Sequence, residues 1–388
     1  MWEFTSPKTI VFGYGSLEYL RNIEGRRAFI VTDGVIRKLS FVDRTINYLK
    51  EAKFEVEVFD EVEPEPSKET VIRCAERARL FEPDWIIGLG GGSCIDAAKA
   101  SWVLYERPDI RVEEISPLLA LGLRKKARFI AIPTTSGTGS EATWAIVITD
   151  TVENRKMELA SRELVADVAI LDPQLPLTMP KSLVADSGVD ALVNALEAYI
   201  SQWRNYFSDN LATVAIRTIF KYLPRSYKDD RDKEAKEKMH YAATMAGLAF
   251  SNSQVCIAHA MGHALGALFK IPHGRSLAVV LKCALEYMAK AAMDRFGSLA
   301  NAIGIRAETD EEAFNKFMEA LGNLLREVNE PTSIKELGIS FEDLRNNLDG
   351  LAERALASTG TITSPRVPTL EDYKKLFLYA YEGKTVDF

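Results

Sequence analysis

Trp85-Ile86-Ile87-Gly88-Leu89-Gly90-Gly91-Gly92-Ser93-Cys94-Ile95-Asp96-Ala97-Ala98-Lys99 is the stretch that decides the fold. Its first five residues are an apolar run of strand length, and they lead without a break into three glycines and a serine. A helix is expected directly afterwards, over 95–104. Strand, glycine turn and helix together open a βα unit whose helix N-terminus presents unbonded N–H groups and the positive end of a dipole. Phosphate binds well there, and glycine lets the backbone approach it closely. A tight turn with Ser93 as helix cap is the plainer explanation, but three successive glycines exceed what a cap requires.

Working outward, the same alternation repeats. On the N-terminal side, 27–32 reads as a buried strand ending at Asp33-Gly34, 35–53 as an amphipathic helix, and 54–59 as a second strand. An acidic, turn-rich segment at 61–66 follows, and Ser67 then caps a helix carrying Val71, Ala75 and Ala78. On the C-terminal side, 128–132 is a fourth strand, ending in Pro133-Thr134-Thr135-Ser136-Gly137-Thr138-Gly139-Ser140-Glu141. That turn has the small hydroxyl residues and glycines to bond phosphate or ribose, though such composition also makes ordinary loops. Strands alternating with crossover helices imply an α/β domain with an open, mostly parallel, doubly wound sheet.

Asp33 ends the first of these strands, where an acid can bind a ribose 2′-hydroxyl or simply cap the next turn. The order differs from the standard dinucleotide fingerprint, because the acid precedes the glycines by two strands. Gly13-Tyr14-Gly15 lacks the third glycine and does not restore it. A Rossmann-like variant fits better.

From about residue 173 the strand-like runs stop. Helices are expected over 187–202, 208–223, 232–250, 257–268 and 277–299, with more to the end. The change falls in the proline-rich segment 171–180, so the reading is an α/β domain at 1–177 and an all-helical domain at 178–388.

The helical half holds three of the chain's four histidines within His259-Ala260-Met261-Gly262-His263 and Ile271-Pro272-His273-Gly274. His259 and His263 are one turn apart and share a helix face. Pro272 is expected to end or kink that helix, and Gly274 to turn the chain after His273. Asp190, Asn194 and Glu197 share a face of another helix. Asp190 alone also reads as a capping-box acid answering Ser187, and a solvated face accounts for Glu197 equally well. Taken together, Asp190, His259 and His273 make a three-ligand set with an open position, the arrangement of a catalytic Zn²⁺ or Fe²⁺ site. His263 remains for proton transfer or substrate contact.

Composition narrows the class. The 388 residues are 47% hydrophobic and 27% charged with net charge −7, which argues against a nucleic-acid binder. No apolar run approaches a membrane span of about 20 residues. Met1-Trp2-Glu3-Phe4 shows no secretory signal. Four scattered cysteines point to reduced thiols in a cytoplasmic protein.

Across nearly its whole length the chain resembles the iron-containing (group III) alcohol dehydrogenases of the dehydroquinate-synthase-like fold. The likeness rests on the segments at 90–99, 133–141, 171–173, 187–201 and 259–274, with Pro365-Arg366 and Pro368-Thr369 near the end. It implies an N-terminal dinucleotide domain and a C-terminal helical domain, with the active site in the cleft between them. It further implies cofactor contacts at Asp33, Gly91, Gly92, Ser93, Asp96, Thr134, Thr135, Thr138 and Lys156. NAD is the expected nucleotide from the acid at 33, with NADP the alternative. Asp190, His259 and His273 are the implied metal ligands, and His263 the histidine beside nicotinamide and substrate. Asn194 stands where the family's iron enzymes carry a fourth ligand, a histidine. An amide oxygen is a poorer ligand for Fe²⁺ than imidazole. Fe²⁺ is the expected metal and Zn²⁺ the alternative.

The function so implied is reversible hydride transfer between a primary alcohol or diol and NAD(P), giving an aldehyde or ketone, in a homodimer or larger homo-oligomer. The rivals are a zinc enzyme like glycerol dehydrogenase and a dehydroquinate-synthase-like NAD-dependent lyase. The lyase needs a basic cleft for a phosphorylated substrate. Segments 181–197 and 251–275 offer only Lys181, Lys270 and Arg275.

Overall fold

The apolar run ahead of the glycines lies in the interior of a six-stranded sheet. A computed structural model describes residues 3–153 and 155–388, and the chain divides into two compact units, Phe4–Thr178 and Met179–Phe388, the latter joined by Glu3. The strands of the first unit are β1 (Thr9–Phe12), β2 (Arg27–Val31), β3 (Glu55–Phe59), β4 (Trp85–Gly90), β5 (Arg128–Pro133), β6 (Ala145–Asp150), β7 (Arg155–Ala160) and β8 (Val168–Leu171). Six of them pair in the order β1-β8-β5-β4-β2-β3, every ladder parallel. β6 and β7 form a separate antiparallel hairpin.

The helices are α1 (Ser40–Glu51), α2 (Lys68–Phe81) and α3 (Gly92–Glu106). Side chains of β4 alternate between two cores. Ile86 packs with Phe29 and Phe129 against Val71, Cys74 and Ala97 of α2 and α3. Trp85, Ile87 and Leu89 pack with Ile30 and Ile130 against Phe41, Val42 and Leu49 of α1. Both faces are covered, which is why the strand reads as one apolar run rather than an alternation.

The sequence reading needs three adjustments here. The helix expected over 35–53 breaks at Leu39, leaving a short 3₁₀ turn at Ile36–Lys38 before α1. β1 and β8 were not anticipated, being only four residues each. The β6–β7 hairpin was not anticipated either. Its strands carry Arg155, Lys156, Glu158 and Asp150 among the apolar positions, which blurs the period of two.

The second unit is entirely helical among its described elements: α4 (Lys181–Ile200), α5 (Tyr206–Lys228), α6 (Lys233–Ser251), α7 (Ile257–Phe269), α8 (His273–Ala292), α9 (Arg295–Ala302), α10 (Asp310–Glu327), α11 (Phe341–Asn346), α12 (Leu348–Ala357), α13 (Thr359–Thr363) and α14 (Leu370–Glu382). α4 packs against α5, α6, α7 and α8, so nearly every residue from Val184 to Ile200 is buried, polar ones included. This helix starts six residues earlier than expected, which places Ser187 inside it, with its hydroxyl bonded back to the Leu183 carbonyl at 2.6 Å. Ser187 is therefore no cap, and Asp190 does not answer it. The helix expected over 277–299 is two helices, α8 and α9.

The histidine segment also differs in detail. α7 ends at Lys270, held in the left-handed region at φ 55°, and Pro272 then caps α8. His273 is the first residue of α8, and Gly274 makes no turn. A Cβ at Gly274 would lie 2.0 Å from the Asp186 carbonyl oxygen, so this glycine is required for the start of α8 to touch the α4 backbone. Among the described residues no helix is long and apolar enough to cross a membrane.

Candidate nucleotide and metal sites

In the first unit the two expected turns form one construction. α3 begins at Gly92, and its first backbone bonds run from Cys94 and Ile95 to the Gly91 carbonyl. The N–H groups of Gly92 and Ser93 therefore lie ahead of those bonds, at the positive end of the helix. A Cβ on Gly92 would meet Thr138 Cγ2 at 2.7 Å, and one on Gly91 would meet Thr135 Cγ2 at 3.4 Å. Thr134 joins the two turns through its N–H to the Gly90 carbonyl at 2.9 Å. Its buried hydroxyl has no hydrogen-bond partner among the described residues.

α3 also anchors the second turn from beneath. Lys99 is fully buried, and its ammonium donates to the carbonyls of Ser140 (2.6 Å), Thr143 (2.8 Å) and Ala145 (3.3 Å). Burial pushes its pKa down to about 8, against the pull of Asp96 and Glu141. Asp96, one turn earlier, accepts from Ser140 Oγ at 2.5 Å and from the Val147 N–H at 2.9 Å. Burial raises the Asp96 carboxyl, and Lys99 opposes that rise. Asp96 thus sits among protein donors, positioning the turn from below.

Asp33 fills the capping role considered for it. Its Oδ1 accepts from the N–H groups of Val35 and Ile36, both at 2.8 Å, and its Oδ2 from the Cys94 thiol at 3.2 Å. It stays partly exposed at the end of β2, beside the glycine turn. Ser93 Oγ accepts from the Glu65 N–H at 3.3 Å. Lys156, on β7, pairs with Glu65 at 2.6 Å.

In the second unit Asp190, His259 and His273 converge. One potential ligand atom from each lies within 4.8 Å of the other two. His273 Nε2 is 3.5 Å and His259 Nε2 4.0 Å from Asp190 Oδ1. Metal–nitrogen and metal–oxygen bonds of about 2.0–2.2 Å put opposed ligand atoms at most about 4.4 Å apart, so a shift of a few tenths of an ångström closes this set on one ion. The donors fit a divalent metal in chemistry as well as spacing. Burial would raise the Asp190 carboxyl, but the neighbouring histidines, His273 foremost, hold it below the ordinary value. His263 stacks obliquely on His273, ring centroids 5.0 Å apart, and is less buried than His259.

Asn194, one turn after Asp190 and buried, donates its amide to Asp190 Oδ1 at 3.0 Å. Glu197, one turn further, is fully buried, which overturns the solvated-face reading. Its carboxylate accepts from the N–H groups of Cys256 (2.8 Å) and Ala258 (2.6 Å) and lies 2.6 Å from His259 Nδ1. The only sequence signal for this partnership was its position seven residues after Asp190 on the same face. Of the basic residues considered for a lyase, Arg275 is bonded to Asp186 at 3.3 Å. Glu330 is buried, and neither of its carboxylate oxygens has a hydrogen-bond partner among the described residues. Burial, with Asp186 beside it, holds the Glu330 carboxyl well above the ordinary value.

A parallel nucleotide-type sheet unit followed by a helical unit with an Asp/His/His centre defines a metal-dependent dehydrogenase class. Comparison with known proteins makes this specific. Residues 7–173 match the model of the iron-containing alcohol dehydrogenases, and residues 184–381 match that of the C-terminal part of the same family. The chain belongs to the iron-containing alcohol dehydrogenase family and is an NAD(P)-dependent, metal-dependent alcohol oxidoreductase. It is 43% identical over 394 residues to the NADPH-dependent butanol dehydrogenase of Clostridium saccharobutylicum, covering 100% of both chains. Among solved structures it is similar to a 1,3-propanediol oxidoreductase, with 31% identity, a TM-score of 0.92, and coverage of 98% of this chain and 100% of that one. It is also similar to the sulfoacetaldehyde reductase of Bifidobacterium kashiwanohense in complex with NAD+, with 27% identity, a TM-score of 0.85, and 98% coverage of each. The lyase and glycerol-dehydrogenase alternatives are not favoured by these relatives.

Proposed function

We propose that the chain oxidises a primary alcohol or diol reversibly with NAD, through a divalent metal held by Asp190, His259 and His273. The observation that carries this reading is the convergence of those three side chains, Asp190 and His259 buried and His273 partly exposed. When bound, the metal supplies Lewis-acid polarisation of the alcohol oxygen. Asp190 contributes the negative charge of the donor set, and the two imidazoles contribute neutral nitrogens. His263, one turn from His259 and nearer to solvent, takes the proton that the alcohol loses and passes it outward.

Gly91, Gly92 and Ser93 are proposed to hold the pyrophosphate through backbone N–H groups, with the hydroxyls of Thr134, Thr135 and Thr138 adding contacts. Lys156 is proposed to add a further contact. Asp33, its carboxylate fixed by two N–H groups and a thiol, supports NAD over NADP, since a 2′-phosphate placed near it is repelled. The NADPH dependence named for the Clostridium relative makes NADP the alternative to be measured. Fe²⁺ is the proposed metal, in line with the family. Asn194 in place of a fourth imidazole, with its amide donated to Asp190, supports Zn²⁺ as a second reading. Four buried free cysteines support a cytoplasmic setting.

The test is elemental analysis of the purified protein, joined to NAD and NADP reduction assays over a panel of primary alcohols and diols. Stoichiometric metal and alcohol-dependent reduction are expected, faster with NAD. No reduction with either nucleotide after metal is restored would overturn the proposal.

A further inference from the structure

We propose that Glu197 is a positioning residue that fixes the tautomer and orientation of His259, and thereby sets how tightly the centre holds its metal. This rests on the proposed Asp190/His259/His273 ligand set. Two backbone N–H donors and one imidazole nitrogen converge on the Glu197 carboxylate. Oε1 takes the Ala258 N–H at 2.6 Å, while Oε2 takes the Cys256 N–H at 2.8 Å and faces His259 Nδ1 at 2.6 Å. The ionised carboxylate has no hydrogen of its own to give, so its oxygen can share the imidazole only if Nδ1 carries one. The proton is then fixed on Nδ1, and the bare lone pair is on Nε2. That nitrogen is the one directed toward Asp190.

A carboxylate is required in this place because all three neighbours donate. The glutamine isostere has one acceptor and one donor end. If its NH2 replaces Oε2, it opposes the Cys256 N–H and donates to Nδ1, moving the imidazole proton to Nε2 and removing the ligand lone pair. If its NH2 replaces Oε1, it opposes the Ala258 N–H at the start of α7. Neither orientation satisfies the site. Cys256 and Ala258 flank the first residue of α7, so the same carboxylate also caps that helix at its positive end. Helix start and metal ligand are thus held by one side chain reaching across from α4.

The experiment measures the Zn²⁺ dissociation constant by chelator competition for wild type, Glu197→Gln, His259→Ala and the double variant. Circular dichroism melts of each metal-free protein are recorded alongside. Loss of a partner that orients a ligating histidine costs roughly 10- to 100-fold in metal affinity. That loss is expected in Glu197→Gln against the wild-type histidine and is expected to disappear in the His259→Ala background. The penalty on the melting of the metal-free protein, from the helix cap, is expected in both backgrounds. An equal loss of affinity with and without His259 would make Glu197 merely structural and overturn the inference. Unchanged zinc binding in a folded Glu197→Gln protein would do the same. Wild-type protein that binds no zinc would instead remove the ligand set itself.

Discussion

The glycine turn above α3 and the histidine centre around α4, as proposed, would bind by opposite means. In the first, the groups offered to a ligand are backbone N–H groups, and side chains serve to shape the backbone: Lys99 and Asp96 hold the second turn from below, while Gly91 and Gly92 clear room for Thr135 and Thr138. In the second, the backbone is committed to helices, and the proposed ligand atoms are side chains brought together from three of them, α4, α7 and α8. A phosphate has several oxygens to be met by many weak donors, whereas a metal ion needs few strong ones at fixed angles. Substitutions should therefore damage the two places differently. Adding a methyl group harms the first, and removing a side chain harms the second.

The largest effect is expected at Asp190. Asp190→Ala removes the only negative charge among the converging ligand atoms, and forfeiting several kcal/mol of Lewis-acid assistance lowers kcat/KM by about 10³-fold or more, with metal content falling in parallel. Nucleotide affinity, read by NADH fluorescence, should not move; if it does, the two places are not independent.

Gly92→Ala is the reciprocal change. Its Cβ would press on Thr138 Cγ2 at 2.7 Å, and displacing the two turns by up to an ångström raises KM for the nucleotide by about 10- to 100-fold. Metal content should stay at the wild-type level, and a Gly92→Ala protein depleted of metal would break the distinction.

Asn194→His offers a fourth imidazole in place of the amide that holds Asp190. Several-fold better retention of Fe²⁺ through gel filtration is expected, with zinc retention changing less. Equal retention of both metals would remove position 194 from the centre.

The smallest effect on either site is a matter of pH, and it is read in stability alone. Glu330 has a folded-state pKa raised above its unfolded value, so folding takes up a proton there. Its contribution is fully present below the ordinary carboxylate pKa and is lost as pH rises through the raised value. Wild-type melting temperature should fall over that window, and Glu330→Gln should flatten the fall, the stability difference across it being on the order of 2 kcal/mol. Identical slopes for the two proteins would show that Glu330 carries no such linkage.

The two regions were also unequally legible. Gly90-Gly91-Gly92 marks a tight strand-to-helix turn because glycines in succession have few other uses, and the buried β4 ahead of it reads directly as an interior strand. The histidines were visible because they are rare in this chain and cluster. What could not be read was partnership. Glu197 looks like any charged helix residue until α4 is seen to be buried on nearly all sides. Gly274 looks like a turn residue until its contact with Asp186 shows that the missing Cβ is what counts. Four-residue strands such as β1 and β8 offer too few positions for a period to emerge, and their place in the sheet is set by neighbours far along the chain.

The contact of Gly274 with the Asp186 carbonyl has a practical consequence. It joins two helices backbone to backbone, one turn before Asp190 on α4 and one residue after His273 on α8. The distance between those two proposed ligands is therefore set by helix packing. A chelator should strip such a centre without melting the fold, and the emptied scaffold should accept one divalent metal after another. The protein would then serve as a fixed socket in which the chemistry of different metals can be compared on a single unchanged frame.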